Sequence, residues 1–252
     1  MHNDTPESLM RTLAEKAPYA HAVMDEGKNL MWTMVKYKEL RMVYSCALKE
    51  IQTKFDVLST EFNLKYKRNP ISSVSTRLKS SKSIMEKMVR KHLTVNLSTM
   101  ENEINDIAGI RVICSYIDDI YMIADALLRQ DDITLIARKD YIKNPKENGY
   151  RSLHLIISIP VFFADQKRDT KVEVQIRTIA MDFWASLEHQ IKYKHEIPDQ
   201  EVISAQLKEC ADVITATDEK MLSLRKRIES AQDLPDEEDE LLLRLQKIDT
   251  NV

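Results

Sequence analysis

Glycine is nearly absent from this chain of 252 residues: only Gly27, Gly109 and Gly149 occur. So few glycines exclude a Walker loop and a G-x-G-x-x-G turn, both of which need backbone free of Cβ atoms. A nucleotide bound here must have its phosphates held by side chains. Cysteine is as sparse. Cys46, Cys114 and Cys210 form an odd, scattered set without a C-x-x-C pair. That argues against a disulfide framework and a zinc site, and fits a reducing cytoplasm. No apolar run of about 18 residues is present to span a membrane. The N-terminus lacks the basic and apolar regions of a secretory signal. A dominant charge is also missing: 37 basic against 40 acidic residues leave a net charge of −3. The molecule as a whole is therefore no generic polyanion binder.

What is present is enough apolar material, 43% of residues, to bury the core of one large domain or two small ones. Residues 1–30 are polar and patternless, which predicts a loosely ordered segment or a weak helix. From 35 to 62, Leu40, Tyr44, Ala47, Ile51, Phe55, Leu58 and Phe62 recur at three and four, the spacing of an amphipathic helix. A short helix is predicted over 98–105, capped by Ser98 with Glu101 three residues on. Strands are predicted over 109–117, 133–138, 153–160 and 171–178. Helices follow the first and last of these, one capped by Asp118 or Asp119, the other carrying Phe183, Trp184, Leu187 and Ile191 on its apolar face. Beyond Pro198 a heptad-like seam runs from Ile203 through Leu207, Cys210, Ile214, Thr217, Met221 and Leu224 to Ile228. It suits packing on the domain or on a second subunit. Residues 233–240 carry six acids and read as a solvated break before a Leu-rich tail. The sum is an α+β fold: a mixed β-sheet flanked by helices, with an N-terminal extension over 1–34, a central domain over 35–195 and a helical extension over 196–252.

The segment Lys171-Val-Glu-Val-Gln-Ile-Arg-Thr178 carries the most information. Strand side chains alternate between faces, so Val172, Val174 and Ile176 bury while Glu173, Gln175 and Arg177 share the other face. That row combines a group able to hold a metal or take a proton with one able to hold phosphate. A solvated mixed-charge strand is the bland alternative for any such strand taken alone. Residues 77–92 are basic, and a helix over 83–91 sets Ser83, Lys87 and Arg90 on one face, suited to a triphosphate or to nucleic acid. Asp106, at the entry to the strand bearing Arg111, can meet Glu173 across neighbouring strands and with it hold Mg²⁺. The loop 140–154 mixes lysines with Tyr141 and Tyr150 and ends at His154. Tyr150 there can stack on a base, or the loop can be an exposed hairpin connection. Glu188 and Lys192 read first as a surface ion pair.

Five segments, taken together, resemble the synthetase domain of the RelA/SpoT family, which makes the alarmone (p)ppGpp. They are R-L-K-S-S-K-S-I-M-E-K at 77–87, D-I-A-G-I-R at 106–111, D-Y-I-K-N-P-K-E-N-G-Y-R-S-L-H at 140–154, V-E-V-Q-I-R-T at 172–178 and A-M-D-F-W-A-S-L-E-H at 180–189. They keep the family's order over about 40–195. No His-Asp dipeptide occurs, so the family's hydrolase motif has no counterpart, and the chain resembles a stand-alone small alarmone synthetase. The resemblance implies a nucleotidyltransferase-like sheet and a Mg²⁺-dependent transfer of pyrophosphate from ATP to GTP or GDP. It also implies the roles. Arg77 and Arg111 would sandwich adenine, while Lys79, Ser83, Lys87 and Arg90 would hold the ATP phosphates. Asp106 and Glu173 would bind Mg²⁺, and Glu173 would also activate the attacking hydroxyl. Tyr150 would stack on guanine, Lys139, Lys146, Asn148 and His154 would line the GTP side, and Gln175 and Arg177 would complete the site. A homo-oligomer, a tetramer by family likeness, is implied in the cytoplasm. One departure is the first long helix, where Gln52, Asp56 and Ser59 stand near Lys49 and Lys54 in place of further basic residues. Two other readings compete: the same transfer onto an adenine nucleotide or a tRNA 3′ end, and an RNA-binding regulator with a degenerate site. The last predicts a lost carboxylate, yet both Asp106 and Glu173 are present.

Overall fold

The computed structural model describes residues 6–66, 68–193 and 200–231, with side chains over 29–65, 68–191 and 201–230. Helix α1 spans Pro6–Tyr66 and passes position 34 without a break. The seven apolar positions predicted for its inner face are all buried, joined by Val43 and Leu48. Each large apolar side chain so buried contributes about 1.5–3 kcal/mol. The first turns, predicted to be loose or weakly helical, are helical as well.

Five strands form one mixed sheet in the order β1-β2-β5-β4-β3. They are β1 (Ile71–Leu78), β2 (Ala108–Cys114), β3 (Thr134–Asp140), β4 (Leu153–Phe162) and β5 (Lys167–Thr178). β2 and β5 are parallel, and every other pairing is antiparallel. The inner face of the sheet, with Val112, Val174, Ile176 and Leu155, packs with α1 and with α4 (Ile117–Leu128). The other face carries the polar rows. α2 (Ser81–Arg90) and α3 (Leu97–Glu103) send Ile84, Met88 and Met100 into the same core as α1, while α5 (Ile179–Tyr193) lies against β2 and β5 and packs with α6 (Gln200–Ala231).

Four local expectations need correction. β1 went unpredicted because its outward positions are serine, threonine and arginine and a register shift between Ile71 and Ser73 breaks the alternation. Arg77 is therefore a strand residue, and α2 begins at Ser81, with Ser80 accepting from the Ser83 backbone N–H at 3.2 Å. The cap of α3 is Asn96, which accepts from Thr99 at 2.7 Å; Glu101 instead pairs with Arg168 at 2.8 Å. α4 starts at Ile117 with both aspartates inside its first turn. Asp119 accepts from the Tyr116 backbone N–H at 3.2 Å and, buried, is held by Arg68 at 2.7 Å. On α5, Phe183, Leu187 and Ile191 form an exposed stripe at i, i+4 and i+8, while Met181, Trp184 and Ala185 turn inward.

The seam of α6 divides. Leu207 and Ala211 are buried, and with Ile203 and Ile214 they pack against Trp184 and Tyr150. Met221, Leu224 and Ile228 are exposed, as is Cys210. The acidic stretch 233–240 and the tail lie outside the described residues. Among the described residues no helix is long and apolar enough to cross a membrane.

Candidate active site

The strand register sets two transverse rows on the polar face of the sheet. In the first, Arg77 on β1 lies beside Gly109 on β2, then Glu173 on β5, then Ile156 on β4. In the second, Ser75, Arg111, Gln175, His154 and Lys139 run across all five strands. Residues from distant segments thus share one face because strand side chains alternate with period two. A cleft of about 250 Å³ opens there, lined by Ser75, Arg77, Lys79, Asp106, Arg111 and Glu173 among others.

Asp106 sits at the turn into β2, beside Lys79, whose backbone N–H donates to the Ile107 carbonyl at 2.8 Å. Its two oxygens meet two ammonium groups, Lys79 at 3.0 Å and Lys87, from the last turn of α2, at 2.8 Å. Burial opposes ionisation of Asp106 and is the largest single influence, but the two lysines together outweigh it and hold the carboxyl below its usual range. Glu173 behaves alike: burial pushes its carboxyl up, and contacts from His154 and Gln175 pull it further down. Gln175 Nε2 donates to Glu173 Oε2 at 2.8 Å, and His154 Nδ1 lies 3.5 Å from Oε1.

Arg177, 4% exposed, is surrounded by acceptors. It donates to Gln175 Oε1 and the Tyr150 hydroxyl at 2.7 Å each, to Asp182 Oδ1 at 3.2 Å and to Ser152 Oγ at 3.3 Å. Asp182 Oδ1 also meets Arg111 at 3.2 Å. The Tyr150 hydroxyl, accepting from Arg177, lies 2.8 Å from His154 Nε2. One proton arrangement satisfies this line: Tyr150 donates to Nε2, leaving the His154 proton on Nδ1 toward Glu173. Arg111, Asp182, Arg177, Tyr150, His154 and Glu173 thereby form one continuous polar chain.

The loop between β3 and β4 is pinned at several points. Asp140 accepts from the backbone N–H groups of Ile142 and Lys143. Gly149, at φ +86°, donates to the Lys146 carbonyl at 2.8 Å. Asn148 donates to Glu188 at 3.1 Å, which gives the predicted surface acid a specific partner; the side chain of Lys192 lies outside the described residues. The Lys146 ammonium rests 4.8 Å from the ring centres of both Tyr141 and Tyr150.

The predicted residues divide into three groups. Arg77, Lys79, Lys87, Asp106 and Arg111 gather at the β1–β2 end with Glu173, and Ser83 and Arg90 lie on α2 nearby. Gln175, His154, Tyr150, Lys139, Lys146 and Asn148 extend toward the β3 edge. Arg177 is a buried brace between the two. Lys54 is elsewhere, bonded to Asp132 at 2.7 Å and Gln130 at 2.9 Å. Two contributors escaped sequence reasoning. Ser75 lies on the unpredicted strand. Asp182 stands inside a recognised segment, where an acid beside Phe183 and Trp184 was the available signal.

Residues 76–198 match the sequence profile of a region found in RelA / SpoT proteins. Over 82% of its length the chain is 45% identical to the GTP pyrophosphokinase YwaC of Bacillus subtilis, of which it covers 97%. Among solved structures, the small alarmone synthetase 1 of B. subtilis bound to its product pppGpp aligns with a TM-score of 0.70 and 34% identity, over 77% of this chain and 98% of that one. The same synthetase bound to AMPCPP aligns at 0.65 and 31% identity, with the same coverage. The five recognised segments, their convergence on one sheet face and these likenesses agree: the chain belongs to the RelA/SpoT family of GTP pyrophosphokinases.

Proposed function

We propose that this chain transfers the β,γ-pyrophosphate of ATP to the 3′-hydroxyl of GTP or GDP, making (p)ppGpp in the cytoplasm, with Mg²⁺ as cofactor. The observation that carries this reading is the polarity of the site. A cationic end (Arg77, Lys79, Lys87, Arg111) and an aromatic end (Tyr150, His154) flank a single central carboxylate, Glu173. That order suits a polyphosphate donor on one side and a stacked acceptor base on the other. Of the relatives named above, one is a GTP pyrophosphokinase, and the small alarmone synthetase 1 carries pppGpp in one structure and AMPCPP in another.

At the donor end, Arg111, steadied by Asp182, and Arg77, which faces solvent, take the two sides of the adenine. Lys79, Ser83, Lys87 and Arg90 take the triphosphate. On arrival of the phosphates, Lys79 and Lys87 exchange the Asp106 carboxylate for phosphate oxygens, and Asp106 is released. Asp106 and Glu173 fit a Mg²⁺ site, because Mg²⁺ needs few protein oxygens when phosphates and waters supply the rest. No further His, Cys, Asp or Glu joins them in a ligand cluster among the described residues. Held by these two carboxylates, a Mg²⁺ ion would supply neutralisation of charge on the transferred group.

At the acceptor end, the Lys146 ammonium leaves the ring of Tyr150 so that guanine can stack there. Lys139, Asn148, His154 and Gln175 line the nucleotide, and Arg177 holds Tyr150 and Gln175 in place. The 3′-oxygen attacks the β-phosphorus, the bond from that phosphorus to the oxygen bridging the α-phosphate breaks, and AMP departs. The hydroxyl proton passes to Glu173. With its carboxyl below the usual range, Glu173 is always ionised at neutral pH yet a weak base, so most of the catalysis comes from positioning and charge. The exposed Met221, Leu224 and Ile228 of α6 support a homo-oligomer.

The test is to supply labelled ATP and Mg²⁺ with GDP, GTP, an adenine nucleotide or tRNA, and to resolve the products. Label on the guanine nucleotides is expected; label on tRNA alone overturns the reading. Glu173→Gln should lower turnover by at least about 10²-fold, the lower range for a positioned acid or base, and undiminished turnover removes the mechanism.

A further inference from the structure

The acceptor loop has a wall that its own sequence does not supply. Ser204, Lys208 and Ala211 stand at i, i+4 and i+7 on α6, beyond the segment matched by the family profile and on one stripe of the helix. That stripe faces the loop. A Cβ placed on Gly149 would lie 2.5 Å from the Ala211 Cβ and 3.5 Å from the Lys208 Cα. Position 149 therefore requires glycine on two grounds, its positive φ and the close approach of Ala211. Half-buried Ser204 lines a cavity of about 650 Å³ with Tyr141, Lys146 and Asn148 of the loop. Ile203, Ile214 and Tyr150 itself all pack on the cluster of Trp184, Ala185, Leu207 and Ala211.

The helix is anchored independently of the loop. Trp184 Nε1 donates to the Leu207 carbonyl at 2.9 Å, and Thr178 Oγ1 donates to Asp218 at 2.6 Å. Thr178 directly follows Arg177, so the anchor and the brace of Tyr150 share one strand end. The donor residues Arg77, Lys79 and Lys87 lie on β1, on the connection that follows it and on α2, at the opposite edge of the sheet.

Resting on the acceptor assignment made above, we propose that α6 is a structural part of the acceptor-nucleotide site. The stripe Ser204, Lys208 and Ala211 fixes the loop 141–150 against the sheet and closes the cavity that takes the guanine nucleotide. Displacing the stripe weakens the acceptor and spares the donor.

The experiment is calorimetric titration of the full chain with GDP, with GTP and, separately, with AMPCPP, for wild type, Ala211→Leu, Ser204→Leu and Val213→Ala. Ala211→Leu pushes the helix from Gly149. Ser204→Leu fills the cavity from a half-exposed position and does not depend on the tight packing at 211. Val213 is exposed on α6 and serves as the control. Both leucine variants should weaken GDP binding about tenfold, the equivalent of ~1.4 kcal/mol, with AMPCPP affinity and the control unchanged. Wild-type GDP affinity in Ser204→Leu overturns the proposal, as does an equal loss of both nucleotides, which would make α6 a support for the fold at large. A wild-type chain that binds neither GDP nor GTP refutes the acceptor assignment, and the wall falls with it.

Discussion

Removing Arg177 tests the internal wiring of the site most directly. Its guanidinium is almost fully enclosed and serves four acceptors, one of them the carboxylate of Asp182. Breaking a buried ion pair by deleting one partner costs about 3–5 kcal/mol. Asp182 is partly exposed and keeps Arg111, which places Arg177→Ala near the lower bound, about 3 kcal/mol. For a chain of this size that is a fall in Tm of about 6–12 °C. Arg177→Met keeps most of the volume, so it separates the lost hydrogen bonds from the lost packing. Urea unfolding gives the stability change, and initial rates at varied ATP and varied GDP give the functional one. KM for GDP should rise in both variants as Tyr150 and Gln175 lose their brace. KM for ATP should rise less, because Arg111 retains Asp182. A stability change under 1 kcal/mol with an unchanged KM for GDP would refute the reasoning.

Three further outcomes are expected. In acid, the depressed carboxyls of Asp106 and Glu173 contribute stability that is complete above their ordinary unfolded values, about pH 4, and is lost as pH falls through the lower folded values. Lys87→Met relaxes the hold on Asp106, so the variant should start less stable near neutral pH and lose less on acidification than wild type, the gap between the two narrowing below about pH 4; a gap in urea midpoint that stays constant with pH would count against the lysine pairing. With divalent cations chelated, Asp106→Asn should bind ATP several-fold more tightly, since Lys79 and Lys87 lose the carboxylate that competes for them; calorimetry showing weaker binding would contradict the exchange. Asp119→Ala leaves Arg68 without the buried carboxylate that it grips and deprives Arg225 of one of its acids, and should cost about 3–5 kcal/mol in urea while leaving KM for both nucleotides unchanged.

What the sequence made legible follows from how strongly burial patterns it. α1 declared itself because a helix packed on a sheet needs an apolar stripe, and every predicted position from Leu40 to Phe62 is buried. β5 was legible for the same reason on its other period. β1 was hidden because the irregularity between Ile71 and Ser73 breaks its alternation and leaves few apolar positions along an edge strand. Caps were less legible: the cap of α3 is Asn96 and not Ser98, and Asp119, one of the two candidates for α4, lies inside its first turn, because short polar side chains satisfy backbone groups locally and several neighbours compete for each end. That Asp106 could meet Glu173 followed from its place at a strand entry, whereas Arg77 joined them only through the resemblance, since pairing partners across a sheet leave no periodic trace. The bracing by Asp182 and the contact of Ala211 with Gly149 lie a step further from the sequence, because both depend on how α5 and α6 dock.

The parallel pairing of β2 with β5 has a consequence for how activity arises during folding. β1 with β2, and β4 with β5, join neighbours in the chain, whereas Gly109 and Glu173 meet across all the intervening sequence. Closing so long a loop is entropically slow relative to forming hairpins. A nascent chain will therefore hold its donor half and its acceptor half as separate pieces. It stays catalytically silent until residue 178 has emerged and the central strand inserts.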